Sequence, residues 1–444
     1  MSVKRLVKKL LGCKGIAVDS VEIREVNGTD SLVVTAHLTK AFSLRDPSTG
    51  KRAPGYDSPP QARRWRHLDF ADVPVYVEMW CRRIRCDDGS VKAESVPFAR
   101  PGSRFTSAFE DQVAWMAKCL PKTAVSELMR IDWETVGSCI GRAVADWGKG
   151  ADPLAGLANI GVDETSYKKG YKYMTVVVDH ATKRVVWAHD GHGKDVLAEF
   201  FRELGPERCA GIRNYTADGA RYISESFDEF CPKATRCLDP YHLVEWANEA
   251  LDEIRRECWN EARKEVSKAK REAGKRKAGR PRKDDPEAAG IREAKDAADA
   301  IKGSKFALLK SPERLTEFQS AKLRFLAETQ PLLYKAYELK ELLRSATAMG
   351  EAGCAKAIDF FCFRCAVSKN EVLIALGEKV KRHREAILNT VRLGFTNAIV
   401  ESTNGRIKKI IRMANGFRNV GNMISLIFLK LGGVDIPLPR RARA

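Results

Sequence analysis

Three carboxylates carry the chemistry that this chain suggests. Asp163 closes the apolar run Ile160-Gly-Val, Asp218 ends a strand-like run from Ile212 to Ala217, and Glu401 lies in a segment otherwise loaded with Arg and Lys. Hard oxygen ligands of this kind suit two Mg²⁺ or Mn²⁺ ions about 4 Å apart. One ion would activate an attacking oxygen and the other would stabilise a leaving oxygen. Two strand-borne aspartates and a helix-borne glutamate therefore point to a two-metal site for phosphoryl transfer on nucleic acid. Each acid alone has a plainer reading. Asp163 can cap a turn, Asp218 can cap the helix that follows it, and Glu401 can pair with Lys408.

The segment from Thr396 to Asn419 makes the joint pattern more specific. Asn397, Glu401, Asn404 and Lys408 recur at spacings of four, three and four, which puts them on one helical face. Ile399, Ile407 and Ile410 lie away from that face, and Gly416 can end the helix. One acid amid amides and bases suits a metal beside phosphate oxygens. Arg406, Lys408, Lys409, Arg412 and Arg418 are expected to hold DNA phosphates near the metals. Asp239 also ends a strand and is an alternative second ligand, although the order of elements favours Asp218. His242 either hydrogen-bonds near the site or satisfies a core position.

The elements that must hold these residues follow from hydrophobic periodicity. Strands are expected around Ile160–Glu164, Tyr173–Asp179, Arg184–His189, Ile212–Ala217 and Ala234–Leu238, with helices over Asp195–Leu204 and Gly219–Phe230. The order βββαβαβ is that of a ribonuclease H-like core, in which the middle of strand one lies beside the end of strand four. A helix after the last strand can bring Glu401 across. The expected fold class is α/β plus α. Residues 1–100 form a small β-rich domain and 101–150 a helix-turn-helix. Residues 156–245 and 390–432 make the core, and 246–389 a long all-helical insertion. In the helix-turn-helix, Asp132 opens a third helix whose thin polar face (Glu134, Ser138, Arg142) could read a major groove or could merely link domains.

Composition agrees with a polyanionic partner. Lys and Arg (77) exceed Asp and Glu (58), a net charge of +19 over 444 residues. No apolar run approaches the roughly 20 residues that span a bilayer, and the first residues lack a signal-peptide core. We expect a cytoplasmic protein with no membrane partner. Its twelve cysteines are scattered rather than spaced as a disulfide framework.

Taken together these residues resemble the DDE transposases of bacterial insertion sequences, most closely the ISL-three family. The resemblance covers most of the chain and is densest in Gly161–Asp179 and Thr396–Asn419. Between them, Asp218-Gly-Ala-Arg-Tyr222 looks like the family's second-acid motif, and Asp239-Pro-Tyr-His242 like the Asp-x-x-His element of related transposases. The resemblance implies a triad of Asp163, Asp218 and Glu401, two Mg²⁺ or Mn²⁺ ions, terminal inverted repeats as substrate, and strand transfer into target DNA. A homodimer or larger assembly on double-stranded DNA is expected, because two element ends must be joined. The rival readings are a repurposed, catalytically inactive DNA-binding protein and a structure-selective ribonuclease H-like nuclease.

The chain departs from the family at its N-terminus, where two Cys-x-x-Cys pairs usually make a zinc ribbon. Here Gly89 stands where a partner of Cys86 would be, and Cys81, Cys86 and His67 fall short of four ligands. No zinc is expected, with Trp65, Leu68, Phe70 and Val75 packing in its place. In the insertion, Lys277-Ala-Gly-Arg280-Pro-Arg282-Lys283 resembles an AT-hook core. It suits non-specific phosphate contact or, with Pro holding it extended, a narrow minor groove.

Overall fold

The computed structural model describes residues 2–218, 220–272 and 286–436; Lys277, Arg280, Arg282 and Lys283 lie outside the described residues. The chain opens with a short Lys-rich helix, α1 (Val3–Leu10), that periodicity did not signal. Seven strands follow: β1 (Ile16–Val26), β2 (Thr29–Leu38), β3 (Gly55–Asp57), β4 (Arg63–Phe70), β5 (Val73–Met79), β6 (Arg83–Arg85) and β7 (Val91–Ala93). They form a sheet ordered β1-β2-β5-β4 and a smaller one ordered β3-β6-β7. Trp65 and Val75 are buried and Leu68 partly so, but Phe70 is 70% exposed at the end of β4 and packs nothing. Cys81 and Cys86 are buried in separate apolar clusters, while His67 Nδ1 lies 2.9 Å from Thr106 Oγ1.

Three helices come next: α2 (Ser107–Cys119), α3 (Lys122–Met129) and α4 (Trp133–Gly150). Thr106 caps α2 through Phe109 N–H. The α4 stripe of Val136, Ile140 and Ala143 is buried against α2. The other side of α4 packs on the last helix of the chain, α17 (Val420–Leu431), where glycines let the backbones approach. A Cβ on Gly137 would stand 2.6 Å from Asn422 Nδ2.

The central sheet contains β8 (Asn159–Lys168), β9 (Lys172–Asp179), β10 (Arg184–Asp190), β11 (Asn214–Ala217) and β12 (Thr235–Leu238), ordered β10-β9-β8-β11-β12. β8, β9 and β10 are an antiparallel meander, and β11 and β12 add on parallel. The β8 strand runs five residues past Asp163, so this acid is mid-strand rather than at a strand end. α5 (Lys194–Leu204), α6 (Pro206–Cys209) and α7 (Arg221–Phe230) cross over on one face, burying Leu197, Phe200, Phe201 and Phe227.

The insertion opens with α8 (Pro240–Glu272), which starts directly at β12. It continues through α9 (Pro286–Lys302), α10 (Lys305–Leu309), α11 (Glu317–Thr329), α12 (Pro331–Ala346), α13 (Gly350–Ala366), α14 (Glu371–Arg382) and α15 (Arg384–Leu393). These helices share one apolar cluster that includes Leu251, Ile254, Leu339 and Phe361. Cys365 of the one Cys-x-x-Cys is buried on α13 in that cluster. α16 (Ala398–Met413) then packs on β8, and α17 ends the described fold. Among the described residues no helix is long and apolar enough to cross a membrane.

Candidate active site

Asp163 points from the middle of β8 toward α16. Its Oδ2 accepts a hydrogen bond from Asn404 Nδ2 at 2.7 Å, and its Oδ1 accepts Glu164 N–H at 2.8 Å. Burial raises its carboxyl to about 6, with the Asp218 charge adding to the rise; Asn404 and a charged His242 oppose it. Asp218 follows β11 directly and accepts Ala220 N–H at 3.0 Å through Oδ1. Among the described residues no donor reaches its second oxygen. β11 pairs in parallel with β8 (Thr216 opposite Gly161), and continuing this register brings Asp218 beside Asp163.

Glu401 sits in the first turn of α16. Burial raises its carboxyl, and the charge of Asp239 raises it further. Asp239 is itself 6% exposed, and both its oxygens are used: Oδ1 accepts Tyr241 N–H at 2.7 Å and Oδ2 accepts Asn397 N–H at 2.6 Å. It ties the start of α8 to the start of α16. His242 Nδ1 lies 3.0 Å from Glu245 Oε2, and the ring acts electrostatically on both Asp163 and Glu401.

α16 approaches β8 because Gly161 has no side chain; a Cβ there would overlap Val400 Cγ2 and stand 2.9 Å from Thr216 Oγ1. Beside it runs a buried chain of bonds. Thr216 donates to Asn397 Oδ1 at 3.1 Å, which leaves His180 Nε2–H to donate to Thr216 at 2.9 Å. Burial lowers the His180 pKa, keeping its ring neutral. Asn397 Nδ2 and Asn404 Oδ1 are buried without partners among the described residues.

Sequence reasoning missed several supports. Glu164 Oε1 accepts both the Tyr222 hydroxyl and Gly193 N–H (2.9 Å), which fixes the start of α7 against β8. Thr390 donates to Leu238 O at 2.7 Å and Asn389 to Arg236 O at 3.0 Å, clamping α15 to the β12 end. The adjacent acids Asp163 and Glu164 were the only signal for the first. Nothing local signalled the second.

The residues present fit divalent cations. Among the described residues no Lys or Arg makes an ion pair with Asp163, Asp218, Asp239 or Glu401, so their charge is left uncompensated in a partly buried place. The orphaned Asn404 Oδ1 adds a free hard oxygen there. Among the described residues no three His, Cys, Asp or Glu side chains already close around an ion. Asp218 acts electrostatically on Asp163, and Asp239 on Glu401.

The basic residues divide by place. Lys408 shares the exposed side of α16 with Glu401, whereas Arg406 and Lys409 line a cavity with Lys118 and Lys122 on another side. Arg412 and Arg418 are exposed. Arg142 is engaged inside the three-helix unit, where its Nε donates to Oε1 of the fully buried Glu110 at 2.6 Å. The exposed stripe of α4 is left with Glu134, Ser138, Ala145 and Lys149, and Lys149 pairs with Asp146.

Comparison with known proteins follows the same division. A family described as "Transposase", of the DDE type of ISL3, matches residues 160–427, and the helix-turn-helix domain of transposase family ISL3 matches residues 94–144. The chain is similar to the transposase for insertion sequence element IS1557 of Mycobacterium tuberculosis: 41% identical, covering 98% of this chain and 97% of that one. It is also similar to the transposase for insertion sequence element IS1001 of Bordetella parapertussis, at 23% identity over 94% of this chain and 95% of that one. With one family spanning the central sheet through α17 and a near-full-length relative above 40% identity, the chain belongs to the ISL3 family of insertion-sequence transposases.

Proposed function

We propose that this transposase cuts and joins DNA at the ends of its insertion sequence through Asp163, Asp218 and Glu401, carried on a ribonuclease H-like core. The sheet order β10-β9-β8-β11-β12, with its antiparallel meander and two parallel additions, supports that core. The observation that carries the triad is the Asn404–Asp163 hydrogen bond, which joins the helix of Glu401 to the strand of the first acid. The core comprises 156–245 and 390–432, the DNA-reading unit 101–150, and the helical insertion 246–389, after a β-rich domain over 1–100.

Transposases of this family use divalent metal ions. Asp163, Asp218 and Glu401 would hold two Mg²⁺ or Mn²⁺ ions, with Asn404 Oδ1 at hand. When bound, the ions supply a nucleophile active at neutral pH and neutralise the leaving oxygen. The chain's own residues do the rest. Asn404 orients Asp163. Asp239 takes the Asn397 N–H and so fixes the helix turn that carries Glu401. His242, close to Glu245, adds a ring beside the acids. Lys408 presents a cation on the Glu401 side of α16 for a DNA phosphate. The same site serves water attack at the element's terminal inverted repeat and attack of the freed 3′-hydroxyl on target DNA, since both are in-line displacements at a phosphodiester. The assembly is a homodimer or larger on DNA, in the cytoplasm.

The test is cleavage of a labelled fragment containing the element's terminal repeat, with Mg²⁺ or Mn²⁺, comparing wild type with Glu401→Gln. The expected result is metal-dependent nicking at the repeat boundary, lost in the variant while repeat binding persists. Cleavage undiminished in Glu401→Gln would remove Glu401 from the site. Cutting that follows DNA structure and ignores the repeat would favour the nuclease.

A further inference from the structure

α16 has a second functional side. At 100° per residue, Arg406 and Lys409 are turned about 110–170° from the stripe of Asn397, Glu401, Asn404 and Lys408. There they line a surface cavity of about 300 Å³ together with Lys118 and Lys122 from the three-helix unit and Lys430 from α17. The floor is apolar, made by Ile410 and Leu426, with Leu120 and Met413 at the exposed rim. No carboxylate lines it. Five cations around an apolar floor make the cavity positive, and the carboxylate that acts on Lys122, Glu134, lies outside its lining.

The surroundings are arranged to keep it so. Lys430 Nζ is held by Lys118 O at 2.7 Å, and Lys118 Nζ by Val434 O. A carbonyl orients each ammonium and cancels none of its charge, and each keeps N–H donors to spare. Lys122 is 6% exposed, its ammonium has no hydrogen-bond partner, and it lies 3.3 Å from the centroid of the Trp133 ring. Burial pushes the Lys122 pKa down to about 8 and lowers that of Lys430 as well. No side chain caps the N-terminus of α3 beside it, so its positive dipole end adds to the field. Arg406 and Lys409 are exposed, and neither pairs with a carboxylate among the described residues.

We propose that this cavity between α3, α16 and α17 binds the phosphodiester backbone of a DNA strand segment separate from the one at the acids, with Arg406 and Lys409 as the principal phosphate contacts. The proposal rests on the reading of this chain as a DNA-handling transposase. Arg406 and Lys409 lie five and eight residues beyond Glu401, about 8–12 Å along the helix axis and on another side of it. A phosphate held there cannot be the one being cut. The site instead joins the helix-turn-helix unit and the Glu401 helix to one piece of DNA.

The experiment measures binding of the full-length protein to labelled terminal-repeat DNA by fluorescence anisotropy, in EDTA, from 50 to 200 mM salt. Without metal no cleavage is possible, so the result stands whether or not the acids cut. Two phosphate contacts contribute about 1.8 to the slope of log K against log salt. Arg406→Ala/Lys409→Ala is expected to flatten the slope by about that amount. Met413→Glu, which puts a carboxylate at an exposed rim position, is expected to weaken binding with an unchanged melting temperature. Sodium phosphate at matched ionic strength is expected to displace no more DNA than sodium chloride does. Wild-type affinity and slope in both folded variants would overturn the proposal. So would an unaltered DNA slope combined with specific binding of inorganic phosphate, which would make the cavity a free-anion site.

Discussion

Gly161→Ala tests whether the close approach of α16 to β8 is what assembles the site. The added methyl would overlap Val400 Cγ2, with Thr216 Oγ1 at 2.9 Å and His180 Nε2 at 3.3 Å closing the other sides. Carbon atoms rest about 3.5–4 Å apart, so the contact must open by more than about 1 Å, of which a retreat of α16 takes up about 1 Å and the Val400 side chain the rest. That shift stretches the Asn404–Asp163 bond from 2.7 Å to about 3.7 Å, beyond hydrogen-bonding range. Overpacking of this kind costs about 1–3 kcal/mol, within the roughly 5–15 kcal/mol that hold a domain folded. The variant is therefore expected to fold. A misplacement of about 1 Å at a reacting centre lowers turnover on the order of 100-fold. Urea denaturation gives the stability change, and metal-dependent nicking of labelled terminal-repeat DNA gives the rate. Adding Val400→Ala removes the methyls that clash and should recover part of the rate, a coupling that independent sites would not produce. A folded Gly161→Ala protein that nicks at the wild-type rate would refute the argument. So would a double variant no better than the single one.

Asp239→Asn leaves one of two N–H groups, Tyr241 or Asn397, without its acceptor; a loss of about 1–3 kcal/mol is expected in urea denaturation, with Mn²⁺ affinity lowered far less than by Asp163→Asn, whereas a drop matching that of Asp163→Asn would make Asp239 a ligand. Arg100, 9% exposed in its side chain, holds Glu110 at 3.2 Å, Asp111 at 2.6 Å and Asp146 at 3.0 Å. Arg100→Met takes the ion-pair partner from Asp111 and leaves the buried Glu110 with Arg142 and Ser103, and should lower stability by about 3 kcal/mol, the low end for a broken buried pair; an unmoved denaturation midpoint would contradict this. For Lys122, the folded pKa of about 8 lies below the ordinary lysine value of about 10.4. The unfolded chain thus holds the extra proton between those values, and stability rises with pH across that window. Melting temperatures at pH 7.5, 8.5 and 9.5 should show a smaller rise in Lys122→Met than in wild type, and parallel trends would refute the assignment.

The sequence by itself determined the alternation of β-branched strands and amphipathic helices, because periodicity is a local property and the packing of one apolar face enforces it. β9 (Lys172–Asp179) and α5 (Lys194–Leu204) are where the pattern put them, to within one residue. The same local logic made Asp163, Asp218 and Glu401 conspicuous as acids in apolar or basic surroundings. α1 escaped because eight residues that bury nothing leave only a short, charged pattern. Tertiary structure decided everything that depends on two distant segments meeting. Asn404 reaches Asp163 across 241 residues of chain, and that contact follows from the packing of α16 on β8 that the missing side chain of Gly161 permits, which has no local signature. Asp239 could be read as a metal ligand or as a brace until both its oxygens were found on backbone N–H groups. Arg142 reads as an exposed base along α4, yet the packing of α2 presents it with the buried Glu110. Arg406 and Lys409 are separable from Lys408 by helical phase, but the partners that make their side a cavity, Lys118, Lys122 and Lys430, come from α2, α3 and α17. A residue's type and spacing fix what it can do, and the long-range contacts that exclude water and set distances fix which of those things it does.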